Sequence, residues 1–445
     1  MEPRINPPKF FRHTGGHRRI AVIGSGAAGL AVAWALAKQH DVHLFEADDR
    51  LGGHAHTVDI DVDGARIPVD TGFIVFNEVN YPSLTQMFDA LGIVTQKSEM
   101  SFSVSVDRGR FEYSGRWPGG ILAQKRNLVS PTYWRMLSDI RRFYARAAGD
   151  LVALEGGKVS LDDYIAEAGF SPVFRDRHLF PMVGAIWSLP TEGAGNMPAA
   201  AVIRFFRAHG LLHLRHRPQW RTVTGGSRRY VERLIDDFGG TVHQGRPVRE
   251  VVSNGAGVVL SVERDGVLNF DEVVIAAHGD QALRLLKSPA ESRSRVLGAF
   301  RYSANTVVLH SDLRLMPYRH SAWAAWNFIE VGGRQGISYW MNCLQGLPTE
   351  VPILVTLNPP IEPDPSLTYG RYAYDHPIFD QGALDAQAQL DGVQGRDGIW
   401  FCGSYFGHGF HEDAFASGLR TAASLNAHLM EEGAQAQKST GEVDV

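Results

Sequence analysis

Between Arg18 and Glu46 the chain reads RRIAVIGSGAAGLAVAWALAKQHDVHLFE. Ile20 to Ile23 are a short apolar run behind charge, which predicts a buried parallel strand. Leu30 to Lys38 are rich in alanine and other good helix formers and predict a helix. Val42 to Phe45 predict a second strand that ends at Glu46. Tyr81 to Leu91 has helical spacing, and Met100 to Val106 alternates like a strand. Tyr230 to Phe238 predicts a helix, followed by Gly240-Thr241-Val242, a strand at Val248 to Val252 and a buried strand at Asp271 to Ala277. Phe300 to Ser311, Ser321 to Phe328, Ile337 to Cys343 and Ile353 to Asn358 read as the sheet of a second domain. Alternation sets Tyr339 and Met341 on one face, Trp340 and Asn342 on the other. One of these faces fronts a ligand, and alternation does not say which. A last buried strand ends at Gly403. After a loop comes a helix with Phe415, Leu419, Ala422, Leu425 and Leu429 at helical spacing. From Glu432 the residues are small and polar, as in a frayed tail.

Gly24, Gly26 and Gly29 stand between the first strand and the first helix at G-x-G-x-x-G spacing. Gly24 permits the tight turn, Gly26 lets a pyrophosphate approach the backbone, and Gly29 lets the helix pack close on the sheet. The helix N-terminus offers free N–H groups to phosphate, and Glu46 can accept both hydroxyls of a ribose. Glycines alone are a weak signal. Strand, glycines, helix, strand and terminal acid in one unit point to an adenine dinucleotide. Further along, Ala47 and Arg50 precede the paired Gly52 and Gly53, which suit a loop folding back over the phosphates. His54 and His56 could face the same way on a strand. With no third ligand nearby, a loop against a cofactor is the better reading than a metal site.

With 445 residues the chain has room for two or three domains. Apolar residues at 44% and charged residues at 21% are ordinary for a globular protein, and a net charge of −4 does not point to nucleic acid. Two distant cysteines, Cys343 and Cys402, exclude a disulfide framework and suggest a reducing compartment. The N-terminus has no apolar signal region, and no window approaches the roughly 20 apolar residues that span a bilayer. A cytoplasmic location, with peripheral contact to the inner membrane, is the expectation. Charge is uneven, however. Residues 108–146 carry nine Lys/Arg against two acids, interleaved with Trp117, Ile121, Leu122, Tyr133, Trp134, Met136 and other large side chains. That is either a solvated helical face or a surface that docks on anionic phospholipid. Leu179 to Ala201 is apolar and broken by Pro and Gly, and suits core or the wall of an apolar tunnel.

G-S-G-A-A-G-L, E-A-D-D-R-L-G-G-H and Asp70-Thr71-Gly72-Phe73 together resemble the FAD-binding entry of the flavin-containing amine oxidase superfamily. That superfamily includes monoamine and polyamine oxidases, phytoene desaturases and a flavin fatty-acid isomerase. The closing stretch Gly403-Ser404-Tyr405 and Gly407 to Gly418 resembles the family's last motif. The resemblance runs from Arg18 to Leu429. It implies an α/β fold: a Rossmann-like FAD-binding domain with an interleaved α+β substrate domain. The segments are 17–75, 215–285 and 390–432 for FAD, 76–214 for a helical substrate or membrane-facing region, 286–389 for the substrate sheet, and 433–445 for a flexible tail. Carried over residue by residue, the FAD contacts are Gly24, Ser25, Gly26, Ala27, Ala28, Gly29, Glu46, Ala47, Arg50, Gly52, Gly53, His54, Thr71, Gly72, Phe73, Val248, Gly403, Ser404, Phe410, His411 and Glu412. Val248 matches a valine whose backbone lies beside the adenine. The family has Arg where this chain has His54, so a fixed charge is lost there. Thr71 to Pro82, Asn305 to Asp312, Trp326-Asn327 and Tyr339-Trp340-Met341-Asn342 also resemble a bacterial group of flavin oxidoreductases that often accompany cyclopropane-fatty-acid-synthase-like methyltransferases, which implies lipid acyl chains as substrate and such a methyltransferase as partner.

The expected activity is therefore FAD-dependent dehydrogenation of a lipid-like chain, by hydride transfer to flavin N5. Tyr405, His408, His411 and Asn342 are the candidates for proton handling. An amine oxidase is the alternative, although the lysine those enzymes commonly carry is missing from Ser303 to Val307. Redox-neutral isomerisation and a non-catalytic flavoprotein partner are the others.

Overall fold

The computed structural model describes residues 17–441 apart from 117, 155–158, 190 and 214–216. Trp117 of the basic stretch and the last four residues therefore lie outside the described residues. Five parallel strands form the first sheet, in the order Thr241–His243, Asp41–Phe45, Arg19–Ile23, Glu272–Ile275 and Ile399–Phe401. Ile23 pairs with both Phe45 and Ile275, and Ile275 with Phe401. Four strands from three distant parts of the chain thus end side by side, and the loops leaving them converge on one crevice. These strands are apolar on both faces because helices cover one side and a small three-stranded sheet, Val248–Ser253, Val258–Val262 and Gly266–Phe270, covers the other.

The first helix spans Ala27–Leu36, three residues earlier than its composition predicts. Gly24 makes the turn into it at φ +102°, and a Cβ on Gly29 would stand 1.8 Å from the Gly24 carbonyl oxygen. Only glycine fits that packing.

The second domain is a seven-stranded sheet. Its order is Thr368–Ile378, Arg301–His310, Leu354–Leu357, Arg334–Trp340, Trp326–Val331, Phe102–Val106 and Phe111–Ser114. Helices pack against it, the longest being Pro131–Leu154. That helix buries Tyr133, Met136, Ile140, Phe143, Ala147 and Leu151, one stripe at spacings of three and four. Among the described residues no helix is long and apolar enough to cross a membrane.

Three expectations change. Ser321 to Phe328 is not one strand: His320–Ala322 is a 3-10 turn and the strand begins at Trp326. Ile337 to Cys343 stops being a strand at Trp340, and Met341–Gln345 turns helical, closed by Gly346 at φ +59°. The expected alternation of Tyr339 with Met341 and of Trp340 with Asn342 ends there. Finally, the C-terminal helix starts at His411 and continues to Gly441, through much of the segment read as a tail. Its Glu, Ala and Gln are good helix formers, so polarity alone did not end it.

Candidate functional site

At the first turn, Ser25 donates to Glu46 Oε2 through its amide (2.9 Å) and its hydroxyl (2.5 Å), while Glu46 Oε1 accepts from the Asp48 amide (2.9 Å). The acid that ends the second strand is thereby locked to the glycine turn. Gly52 donates its amide to Ser25 O at 3.0 Å, and a Cβ on Gly53 would lie 3.0 Å from Gly26 Cα. The paired glycines fold directly over the turn.

From the other end of the chain, Gly403 donates its amide to Ser417 Oγ (2.9 Å), and Phe410 donates its amide to Asp413 Oδ2 (2.9 Å). These bonds fix the loop between the last strand and the last helix. His411 stacks on Phe73, centroids 4.0 Å apart, and its Nε2 meets the Tyr230 hydroxyl. Burial pushes the His411 pKa down to about 3, so the ring is neutral.

Both ends line one cavity of about 500 Å³. All the cofactor residues read from sequence line it except Gly29, Ala47, Arg50, Gly52, Val248 and Glu412. Each exception has a place. Gly29 and Gly52 are used in packing and in the loop, and Ala47 is exposed. Val248 is buried in the core beneath the five-stranded sheet, at an irregularity of its strand. Glu412 turns away from the cavity. Its carboxylate accepts from the Ser83 and Leu84 amides (2.9 and 3.0 Å) at the N-terminus of helix Pro82–Leu91. Arg50 has a buried Nη1 with no hydrogen-bond partner.

Tyr405, His408 and His411 line the cavity; Asn342 does not. The Asn342 amide is spent on the backbone, donating to Thr349 O and Val351 O and accepting from the Ile353 amide. It staples a loop and is removed from the proton-handling candidates. Tyr405 is buried with an unpartnered hydroxyl, and burial holds its pKa well above the usual phenol range.

Sequence reasoning missed a group of rings on the cavity wall. His54 lies 5.1 Å from Tyr374, 5.7 Å from His376 and 6.3 Å from His278, centroid to centroid. His54 titrates well below the ordinary imidazole range, first because it is buried and then because His376 and His278 crowd it. His376 falls to about 4, mainly by burial. His56 is tied elsewhere, to the Tyr374 hydroxyl at 2.7 Å. Among the described residues no group of His, Cys, Asp or Glu is placed to hold a metal. Tyr374 and His376 are two apart on strand Thr368–Ile378, and that spacing was the signal.

The pocket fits a dinucleotide. Beyond its chain neighbours, nothing among the described residues comes within 4 Å of where a Gly26 Cβ would be, so the backbone there faces open space. The helix behind it has no side-chain cap on its free N–H groups, and Arg50 carries an unmet donor. His54, held neutral mainly by burial, brings no fixed positive charge there.

A parallel nucleotide-binding sheet, closed by segments from both ends of the chain around such a cavity, is the fold of an FAD-dependent oxidoreductase. The chain belongs to the flavin containing amine oxidoreductases, whose family model matches residues 27–311. A Mycobacterium tuberculosis protein named as a flavin-containing monoamine oxidase, AofH, is 26% identical over 267 residues, 55% of this chain and 54% of its own. The match thus spans about half the length of that relative. Among solved structures, cyclohexylamine oxidase from Brevibacterium oxydans superposes with a TM-score of 0.69 at 16% identity, covering 93% of this chain and 100% of that one. A CLA-producing fatty acid isomerase from P. acnes does so at 0.66 and 14%, covering 92% and 98%. At such identities the likeness is one of fold. The family's cofactor is FAD.

Proposed function

We propose that this oxidoreductase dehydrogenates a lipid-like acyl chain. The observation that carries the reading is the cavity wall beyond the glycine turn. Met100, Phe102, Met182, Ile186, Trp220 and Tyr339 are among its members. Among the described residues the charged side chains on the cavity are Glu46, at the ribose end, with Arg217 and Asp375, and no lysine is among them. An apolar chain gains about 25 cal/mol per Å² on leaving water for such a wall, whereas an alkylammonium would lose hydration there with only Glu46, at the ribose end, and the exposed Asp375 as carboxylates on the lining.

FAD, when bound, supplies the acceptor for a hydride from a substrate C–H bond. The protein's part is binding, orientation and water exclusion. Trp326 lines the cavity and its buried indole N–H has no acceptor, so it is free to donate to a polar atom of the ligand. Neutral imidazoles at His376 and His411 present ring nitrogens to the cavity without adding a charge. Asn305 lies in Ser303 to Val307, the stretch matching the one where amine oxidases of this superfamily commonly have lysine. Its Nδ2 donates to Ser303 O at 2.9 Å and lies 3.3 Å from His376 Nδ1, while its Oδ1 accepts from Asn358 at 2.7 Å. It braces the wall and brings no charge.

The test is anaerobic mixing of the FAD-loaded protein with long-chain acyl lipids and, separately, with alkyl and cyclic amines. Bleaching of the visible flavin band by lipids alone is expected. Bleaching by amines alone overturns the proposal in favour of an amine oxidase, the second reading that the relatives' names support. New lipid product without net bleaching would mean isomerisation, and no change in any mixture a flavoprotein without turnover on these substrates.

A further inference from the structure

We propose that the face built from turn 107–110, the 3-10 segment Lys125–Val129 and the start of helix Pro131–Leu154 docks on an anionic lipid surface. This stands apart from the substrate reading, since it rests on the outside of the molecule. Large apolar side chains protrude here together: Val129 is 84% exposed, Trp134 50%, Leu128 42% and Leu122 39%. The Trp134 indole donates to Leu128 O at 2.8 Å, which pins the ring beside the turn. Tyr318, 80% exposed, flanks Gly109. Exposed apolar residues elsewhere, such as Val79, Val152 and Val267, are isolated from one another in the sequence.

The segment is held to the turn by Gln124, whose Nε2 donates to Gly109 O at 2.9 Å, and by Asn127, whose Nδ2 donates to Glu112 O at 3.0 Å. These bonds gather Arg108, Arg110, Lys125 and Arg126. All four are exposed, and none forms an ion pair with a described residue. Neighbouring arginines are compensated: Arg116 by Glu99, Arg135 by Asp139 and Arg319 by the buried Glu112. An exposed acid at the edge, Asp107, accepts from the Gly332 amide. A purely solvated face has no need of clustered protruding Trp, Leu and Val, and a face for a neutral apolar partner has no need of four bare cations. The two together match the interfacial zone of a bilayer with acidic headgroups. The same helix reaches the cavity. The Tyr144 hydroxyl, on a residue roughly 15 Å along the axis from Trp134, lies 3.4 Å from His178 Nε2 and beside Arg217 of the cavity wall.

The experiment is sedimentation of the full-length, FAD-loaded protein with phosphatidylcholine vesicles, with and without phosphatidylglycerol. The wild type is expected to partition at least about tenfold better onto the anionic vesicles. The pair Lys125→Glu and Arg126→Glu is expected to lose at least tenfold, and Val129→Asp several-fold, both with FAD content and thermal midpoint unchanged. Equal partition of all three proteins, or no binding by the wild type, overturns the proposal. So does loss with charge reversal but not with Val129→Asp, which marks a site for a soluble polyanion. A wild-type dimer that these substitutions disperse also overturns it, and marks a self-association face.

Discussion

Gly26 and Gly29 are three residues apart and do opposite jobs, which makes them separable. Gly26 has φ −65° and ψ 179°, a conformation that alanine adopts freely, and no other group among the described residues stands near its missing Cβ. Gly26→Ala is therefore expected to leave the thermal midpoint within a degree or two while weakening FAD binding at least about tenfold, measured by fluorescence titration. Gly29→Ala drives a methyl into the Gly24 carbonyl. It is expected to destabilise the apoprotein by about 3 kcal/mol or more in urea, in line with severe overpacking. Arg50→Ala is expected to follow the first, lowering FAD affinity more than the thermal midpoint, because its buried Nη1 has no hydrogen-bond partner among the described residues. Glycine spacing and the terminal acid were legible because each job is local. The partners of His54 were not, because Tyr374 and His376 arrive from a strand more than three hundred residues away.

Strands and helices carried their own signatures wherever one face met the core, as in the stripe along Pro131–Leu154. Reading failed where a side chain left its expected role to satisfy a backbone. Asn342 bonds three backbone groups across a loop, and Glu412, expected to meet the cofactor through its backbone, uses its side chain to cap a helix some 330 residues earlier. Neither partner is visible in a linear pattern. Glu412 joins two elements, since it opens the C-terminal helix and closes the orphan amides of Pro82–Leu91. Glu412→Ala is expected to cost about 1–2 kcal/mol in urea, as for loss of a charged N-cap. FAD affinity should change little, because the side chain does not reach the cavity. A large loss of FAD affinity at unchanged stability would instead return Glu412 to the cofactor contacts.

The whole molecule gathers buried titratable groups whose pH effects oppose one another. Asp70 is held among Thr57, Ser227 and Gln345, and burial raises its pKa to about 6. A raised carboxyl favours the folded state below its unfolded value near 4, and that contribution is lost as pH rises through 6; over about two units this is on the order of 3 kcal/mol. His178 and His411 are depressed to about 3 and His376 to about 4, in each case mainly by burial. Depressed imidazoles contribute stability above their unfolded value near 6.5 and lose it as pH falls. Each of the three is worth roughly 3–5 kcal/mol on the same scale. Three such groups outweigh one aspartate, so the apoprotein is expected to lose stability steadily as pH falls from 6.5 to 4. Urea midpoints across that range check it. In Asp70→Asn the opposing term is gone, and the loss toward acid should be steeper than in the wild type by about 3 kcal/mol across the same window. A midpoint that holds or rises toward pH 4 would mean that the histidines are charged in the folded protein, and that the neutral wall assigned to the cavity is wrong.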